Sequence, residues 1–325
     1  MLNYIIRRIL YAIPILVGVN LITFTLFFVV NTPDDMARMQ LGIKRVTPEA
    51  IAKWKQERGY DQPLMFNNAG KGLEKVTRTI FFEKSVAMFA FRFGRADDGR
   101  DIAYEIRTRM LPSLAIALPV FVLGLIVYIT FALTMVFFRA TYVDFWGVVL
   151  CVALMSISSL FYIIGGQFLI SKLWHLVPIS GYGQGLDSAK FLVLPVIIGV
   201  ISAAGANTRW YRTLFLEEMG KDYVRTARAK GLPESAVLFR HVLQNALIPI
   251  LTGAVVIIPL LFLGSLIVES FFGIPGLGSY TIDAINSQDF AVVRVMVFLG
   301  SLLYIIGLIL TDISYTLVDP RIRLE

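Results

Sequence analysis

LPSLAIALPVFVLGLIVYITFALTMVFF, residues 111–138, carries no charged side chain, and its length decides the fold. An α-helix rises about 1.5 Å per residue, so about 20 apolar residues cross the hydrocarbon of a bilayer. Working outward from this stretch, the same pattern recurs on both sides. Spans are predicted at Ile9 to Val30, Leu111 to Phe138, Val143 to Leu173, Phe191 to Asn207, Ala246 to Phe271 and Val292 to Leu317. The 325 residues are 57% apolar and only 16% charged, with a mean hydropathy of +0.72, which excludes a soluble domain. The fold class is all-α integral membrane, with six transmembrane helices.

Pro14, Pro112, Pro119, Pro195, Pro249 and Pro259 lie in or at the start of spans, where neighbouring helices re-satisfy freed carbonyls. The fourth span is diluted by Pro195 and by Ser202, Ala203, Ala204, Gly205 and Ala206; small residues let helices approach closely, so it reads as a packed bundle helix. The first span is too long for the apolar part of a signal peptide and lacks a small-x-small site before NTPDD, so it reads as an anchor. Basic residues orient the chain: Arg7 and Arg8 precede span one, Arg139 follows span two, a cluster follows span four, and Arg321 and Arg323 close the chain. On the other side the short loops hold only Lys172, Lys190 and Arg294, so both termini are placed in the cytoplasm.

This orientation divides the chain into a cytoplasmic N-terminus and first helix (1–30), an extracytoplasmic loop or small cap region (31–110), and a five-helix core (111–325) carrying a cytoplasmic loop at 209–245. In the external region, TPEAIAKWKQERGY predicts a helix that starts at Thr47, with Pro48 in its first turn and Glu49 after it. KGLEKVTRTIFFEKSVAMFAFRFG alternates charge with aromatic and apolar residues. It is read as an amphipathic segment on the membrane surface or over the bundle, or equally as an ordinary helical cap.

Several chemistries are excluded. The net charge of +7 comes without any nucleic-acid-binding signature, so nucleic acid is not a partner. The one cysteine, Cys151, sits in an apolar run and can form neither an intramolecular disulfide nor a cysteine metal site. Gly70-Lys71 lacks the earlier glycine and the Ser/Thr of a phosphate-binding loop, and Gly220-Lys221 has no glycine at the right distance before it. His175 and His241 fall on opposite sides of the membrane, which removes a two-histidine metal site and a Ser-His-Asp triad. Catalytic, cofactor and metal residues are therefore all expected to be absent. Span centres offer Asn20, Thr23, Ser156, Ser158, Ser159, Gln167 and Ser202 but no central acid, as an ion-coupled carrier would need. Hydroxyls there are expected to bond backbone carbonyls or neighbouring helices. Glu269 and Asp312 sit near span ends, within reach of interfacial water or a basic partner.

The cytoplasmic loop reads RWYRTLFLEEMGKDYVRTARAKGLPESAVLFRHVLQN, residues 209–245. Arg209, Arg212, Lys221, Arg225, Arg228, Lys230 and Arg240 keep it out of hydrocarbon. Gly231 suits a left-handed helix end and Pro233 the first turn of a following helix, so a sharp corner is predicted at Gly231-Leu232-Pro233. Tyr223, Val224, Ala227 and Gly231 share one face, while Asp222, Arg225 and Arg228 share another. Small Ala227, Ala229 and Gly231 leave room for another protein. A basic loop obeying the positive-inside rule explains the charge but not the corner.

At YVRTARAKG, followed by NALIP, the chain resembles the cytoplasmic coupling loop of binding-protein-dependent ABC importer permeases, in particular the peptide/nickel (dipeptide and oligopeptide) family. YIIRRIL, ERGYDQPL, FRFG, RTRMLPSLAIAL, LVPISG, FFGIPGLG and DISYTLVDPR extend the resemblance in order along the whole chain. It implies a type I ABC importer permease fold in a bacterial inner membrane. It also implies a second homologous permease, two cytoplasmic ABC ATPase subunits and an extracytoplasmic substrate-binding protein as partners. Arg225, Thr226, Ala227 and Gly231 fall on the family's EAAxxxG positions, with Arg and Thr where the broad consensus has Glu and Ala. The coupling set implied is Arg225, Thr226, Ala227, Arg228, Gly231, Leu232, Pro233 and Phe239, with Arg225, Ala227, Arg228, Gly231 and Phe239 facing an ATPase. FFGIPGLGSYTIDAINSQDF is read as a turn-rich external loop in which Pro275, Gly276 and Gly278 gate the pathway or meet the binding protein. The long external NNAGKGLEKVTRTIFFEKSVAMFAFRFGRADDG departs from the shorter tryptophan-containing stretch of the family. The function implied is passage of peptides or related small solutes, driven by ATP that other subunits hydrolyse.

Overall fold

The computed structural model describes residues 2–42, 46–68, 72–183 and 185–318; Gly70, Lys71, Arg321 and Arg323 lie outside them. In chain order the principal helices are α1 (Ile6–Val30), α2 (Pro33–Leu41), α3 (Pro48–Arg58), α4 (Ile102–Phe137), α5 (Tyr142–Ser156) and α6 (Ser159–Leu173). They continue with α7 (Ser188–Met219), α8 (Asp222–Ala229), α9 (Glu234–Leu263), α10 (Leu266–Phe272), α11 (Leu277–Asn286) and α12 (Phe290–Val318). Among the described residues α1, α4, α7, α9 and α12 are each long and apolar enough to cross a membrane, and α5 and α6, bent by 87° at the break between them, pass the same test as a pair. Large side chains such as Ile126 and Phe161 stand exposed, as lipid-facing positions do.

Packing groups the described residues into two compact units, one of those up to Arg109 with Tyr280–Ile309, the other of Met110–Ser279 with the end of α12 from Leu310. In the first unit the caps set the helices. The Thr32 hydroxyl accepts from the Asp35 N–H and the Asp35 carboxylate accepts from the Thr32 N–H, both at 3.3 Å, which starts α2. Helix α3 begins where predicted, the Thr47 hydroxyl accepting from the Ala50 N–H, and it ends on left-handed Gly59. Phe24 and Phe28 of α1 meet Met36, Trp54, Tyr60 and Ile80 in this unit's core. The amphipathic segment forms three short turns, Glu74–Thr77, Phe81–Ser85 and Val86–Ala90, with Ile80 and Met88 buried and Leu73 exposed.

In the second unit three predicted spans are redrawn. The third, expected unbroken from Val143 to Leu173, bends at Ile157 and Ser158, both extended. Ser156 turns its hydroxyl back onto the Val152 carbonyl at 2.8 Å, offering the backbone an alternative to the helix ladder. The Tyr162 hydroxyl then donates to the Leu154 carbonyl at 2.8 Å and re-satisfies a carbonyl freed by the bend. The fourth span, expected to stop at Asn207, continues to Met219, because the Arg212 guanidinium forks onto Asp144 of α5 at 2.9 and 2.8 Å and compensates a largely buried charge. The fifth ends at Leu263 instead of Phe271, since Gly264 (φ +68°, ψ −164°) turns the chain and Ser265 caps a separate α10.

Helix packing here depends on small residues, because lipid tails are as apolar as the side chains and only close approach favours association. A Cβ on Gly205 of α7 would lie 2.4 Å from the Cys151 carbonyl of α5, and one on Gly199 would lie 2.8 Å from Val120 of α4. The same helix carries Pro195 and remains continuous, as a packed bundle helix should. Toward its C-terminal end Tyr211 and Phe215 join Val224, Ala227, Val237, Leu238 and Val242 in one core.

Candidate functional site

The corner is built by two backbone events. Gly231 takes φ +76°, its N–H donates to the Arg228 carbonyl at 2.9 Å, and α8 stops there. Pro233, extended at ψ 148°, cannot continue α8 but precedes Glu234, the first residue of α9. Across the turn the Arg228 guanidinium forks onto the Glu234 carboxylate at 3.1 and 2.5 Å, and this partner holds Arg228 above its ordinary pKa. Asp222, in the first turn of α8, faces the positive end of the helix and pairs with Arg225 at 3.3 Å. Burial and the Glu218 carboxylate beside it push the Tyr223 phenol above its usual range.

One face of α8 turns inward and the other stays open. Val224 and Ala227 are buried against Val237, Leu238, Val242 and Phe215. Ala227, read from the resemblance as facing an ATPase, is 4% exposed in this chain and lies in its own core. Arg225, Thr226, Arg228, Gly231, Leu232, Pro233 and Phe239 are exposed, Phe239 by 59%, so an aromatic ring and two guanidinium groups ring the bend. Thr226 spends its hydroxyl on the Asp222 carbonyl at 3.0 Å.

Of the three residues read as an external gate, only Pro275 is exposed; Gly276 and Gly278 pack inside the second unit, and α11 begins at Leu277 where a loop was expected. The missing side chain of Gly278 admits the Ser265 backbone, and that of Gly276 accommodates Glu269, which is fully buried. Its carboxylate accepts from the Ser265 and Ser279 N–H groups, both at 3.1 Å, and from the Ser113 hydroxyl. Ser113 itself accepts from the Leu277 N–H at 2.7 Å. Backbone and hydroxyl donors thus replace the water or basic partner expected for Glu269, and Gly276 is drawn onto the carboxylate. A Ser265 three residues before Val268 and four before Glu269, amid glycines at 264, 273, 276 and 278, was the available sequence signal. The 177–181 loop closes on the same knot: the Gly181 N–H donates to the Phe272 carbonyl at 2.7 Å, and the Gln167 amide donates to the Ile179 and Phe271 carbonyls, both at 3.1 Å.

Between α4, α6, α7 and α9 lies a cavity of about 460 Å³, lined by Val120, Tyr128, Ser159, Ser202, Asn207 and Leu260 among others. Its polar side chains are largely committed to backbone. Ser202 donates to the Gly199 carbonyl at 3.2 Å, the Asn207 amide to Ala203 at 2.9 Å and Tyr128 to Val200 at 2.8 Å. Asn20, Thr23 and Ser156 likewise bond backbone carbonyls, as expected of span hydroxyls and amides. What remains is a mostly apolar chamber with no charged side chain among its lining residues.

Residues 108–324 match the family described as binding-protein-dependent transport system inner membrane component, and residues 1–87 match that family's N-terminal membrane component. The chain is 32% identical to a putative peptide transport system permease protein of Brucella abortus (strain 2308), over 99% of both chains. It is 31% identical to a di/tripeptide transport system permease protein of Pseudomonas aeruginosa (strain UCBPP-PA14), and 29% identical to a glutathione transport system permease protein of Salmonella typhimurium (strain LT2). Each of these matches also covers 99% of both chains.

Proposed function

Because the chain belongs to the binding-protein-dependent transport system inner membrane components, a family of permeases whose ATP is hydrolysed by separate subunits, we propose that it carries peptides or related small solutes inward. It pairs with a second permease. An extracytoplasmic binding protein delivers the solute, and two cytoplasmic ATPases grip the corner at residues 209–245. The termini lie in the cytoplasm, on the basic side. The observation that carries the coupling role is the two-faced corner, anchored inside by Val224 and Ala227 and open outside at Arg225, Arg228, Leu232 and Phe239. A push on the outer face cannot be absorbed by α8 alone, because the Arg228–Glu234 clamp ties it to α9. Helix α9 runs from Glu234 to the chamber wall at Leu260, roughly 40 Å away at the rise of an α-helix, so the push moves that wall. The glutathione and di/tripeptide relatives support a short peptide as the cargo.

The test is reconstitution of the chain with its second permease, ATPases and binding protein in vesicles. Uptake of a short peptide should require ATP and fall to background when Phe239→Asp and Leu232→Asp are introduced together, while the permease pair still assembles. Uptake that persists without ATPases and follows an ion gradient would overturn the assignment.

A further inference from the structure

The first unit holds a second cavity, of about 430 Å³, with a polar lining unlike that of the apolar chamber. Its wall comes from the end of α3, the turn at 83–84, the loop at 92–99 and the first turn of α12. Arg58, Lys84, Arg92, Arg95 and Arg294 line it, against the acids Glu57, Glu83 and Asp97. Most of the acids are already engaged. Asp97 accepts from Arg58 at 2.8 Å, Glu83 accepts from Gln62 at 2.9 Å and Glu57 stands 4.0 Å from Lys53. Arg92, Arg95, Lys84 and Arg294 have no ion-pair partner among the described residues.

Arg294 is the decisive member. It is only 3% exposed, yet its Nη1 has no hydrogen-bond partner among the described residues. Its contacts are with uncharged groups: Nε donates to the Phe290 carbonyl at 3.3 Å, and the guanidinium lies 4.6 Å from the centre of the Phe28 ring. Asp289 acts on it through its charge, with no ion pair between them among the described residues. A buried guanidinium without a paired carboxylate is among the costliest groups a protein can hold, and it is retained where something anionic completes it. The adjoining void beside Asn20 and Ser85 is about 10 Å³, room for at most one water, which satisfies an N–H but neutralises nothing. The Asp289 carboxylate is itself occupied by the Asp97 and Val292 N–H groups at 2.7 and 3.1 Å. Tyr60, whose ring carries the Lys84 ammonium at 5.5 Å, adds a phenol to the lining.

We propose that this cavity binds an oxyanion, a carboxylate or phosphate carried on a small solute or on a lipid headgroup. The planar Arg294 fork meets the anion's oxygens, Lys84 supplies a point charge and Arg92 and Arg95 close the mouth. The volume exceeds that of a bare phosphate, leaving room for the molecule that bears it. No residue of the proposed coupling corner or of the transport chamber takes part.

Burial and the charge of Arg294 lower the Lys84 pKa, so more of its amine is free to react with small acylating reagents than at an ordinary lysine, and it reports on the site. The experiment uses the full chain in nanodiscs, with acylation of Lys84 read by mass spectrometry. In phosphatidylcholine discs, millimolar inorganic phosphate or acetate should slow Lys84 acylation at least about fivefold, with saturation, while chloride at equal ionic strength should not. Protection in phosphatidylglycerol discs without added anion would identify the headgroup as the source of the same chemistry. Arg294→Gln should abolish protection. If that variant fails to fold, Arg92→Gln with Arg95→Gln, both on exposed positions, should raise the half-saturating concentration about tenfold. Absence of protection in every disc and anion, or equal protection by chloride, overturns the proposal.

Discussion

Replacing Gly276 with alanine tests whether the Glu269 knot is as tight as its geometry states. An added Cβ would fall 2.2 Å from Glu269 Oε2, 2.5 Å from its Cδ and 2.5 Å from Ser113 Oγ, about 1 Å inside the closest contact real methyl carbons make. The carboxylate cannot rotate away freely, because the Ser265 and Ser279 N–H groups hold both oxygens and Ser113 is held by the Leu277 N–H. Relief therefore breaks at least one bond to a buried carboxylate, at about 1.5–3 kcal/mol, and one neutral bond at about 1 kcal/mol, or roughly 2.5–4 kcal/mol in all. The assay is the unfolding midpoint of the detergent-purified chain in a denaturant titration, combined in a double-mutant cycle with Glu269→Ala. Gly276→Ala should cost roughly 2.5–4 kcal/mol in the native background and about 1 kcal/mol, from the remaining Ser113 contact, once the carboxylate is gone. If the single variant unfolds like the native chain, or its cost is undiminished beside Ala at 269, the packing argument is wrong.

Gly231→Ala contrasts with it: no atom lies within 4 Å of the added Cβ, so only the left-handed φ of +76° is strained and the loss should be about 1–2 kcal/mol by the same titration, with assembly of ATPases retained. Asp144→Asn should destabilise by about 3 kcal/mol, since it strands the Arg212 guanidinium between α5 and α7, whereas Asp144→Asn with Arg212→Met should recover much of that loss. Gly205→Leu should prevent α5 from reaching α7, seen as loss of the monodisperse peak in size-exclusion chromatography, because even a methyl meets the Cys151 carbonyl at 2.4 Å. For pH, burial raises the Asp289 pKa above its ordinary 3.8. Protonation therefore favours the fold, a contribution that is complete below 3.8 and lost as pH rises through the raised folded value. Asp289→Asn should flatten thermal stability across that window, and an unchanged pH profile would contradict it.

The membrane class, the positions of most helices and the corner at 231–233 follow from the sequence, and each rests on local physics. Hydropathy over about 20 residues is a property of one segment, and a glycine followed by proline two residues on stops and restarts a helix through its own backbone. The Thr47-Pro48 start and the Gly59 end of α3 are legible for the same reason. The length of α7 is not, because Arg209 and Arg212 look like the end of a span until Asp144, far away in sequence, is brought beside Arg212. Gly276 and Gly278 resemble turn residues, and no periodicity announces that the Glu269 carboxylate and the Ser265 backbone occupy the spaces their side chains would fill. Ala227 is similar: helical spacing puts it on a face, but only contact with Val237 and Leu238 decides that the face points inward.

What the sequence by itself determined, then, is where water, lipid and backbone turns must be, since those depend on composition within a helix or a loop. The tertiary structure alone decided which polar groups meet. Glu269 with Ser113, Arg212 with Asp144, and an Arg294 Nη1 with no hydrogen-bond partner among the described residues are matters of three-dimensional proximity between residues separated by tens to hundreds of positions, which no one-dimensional pattern encodes.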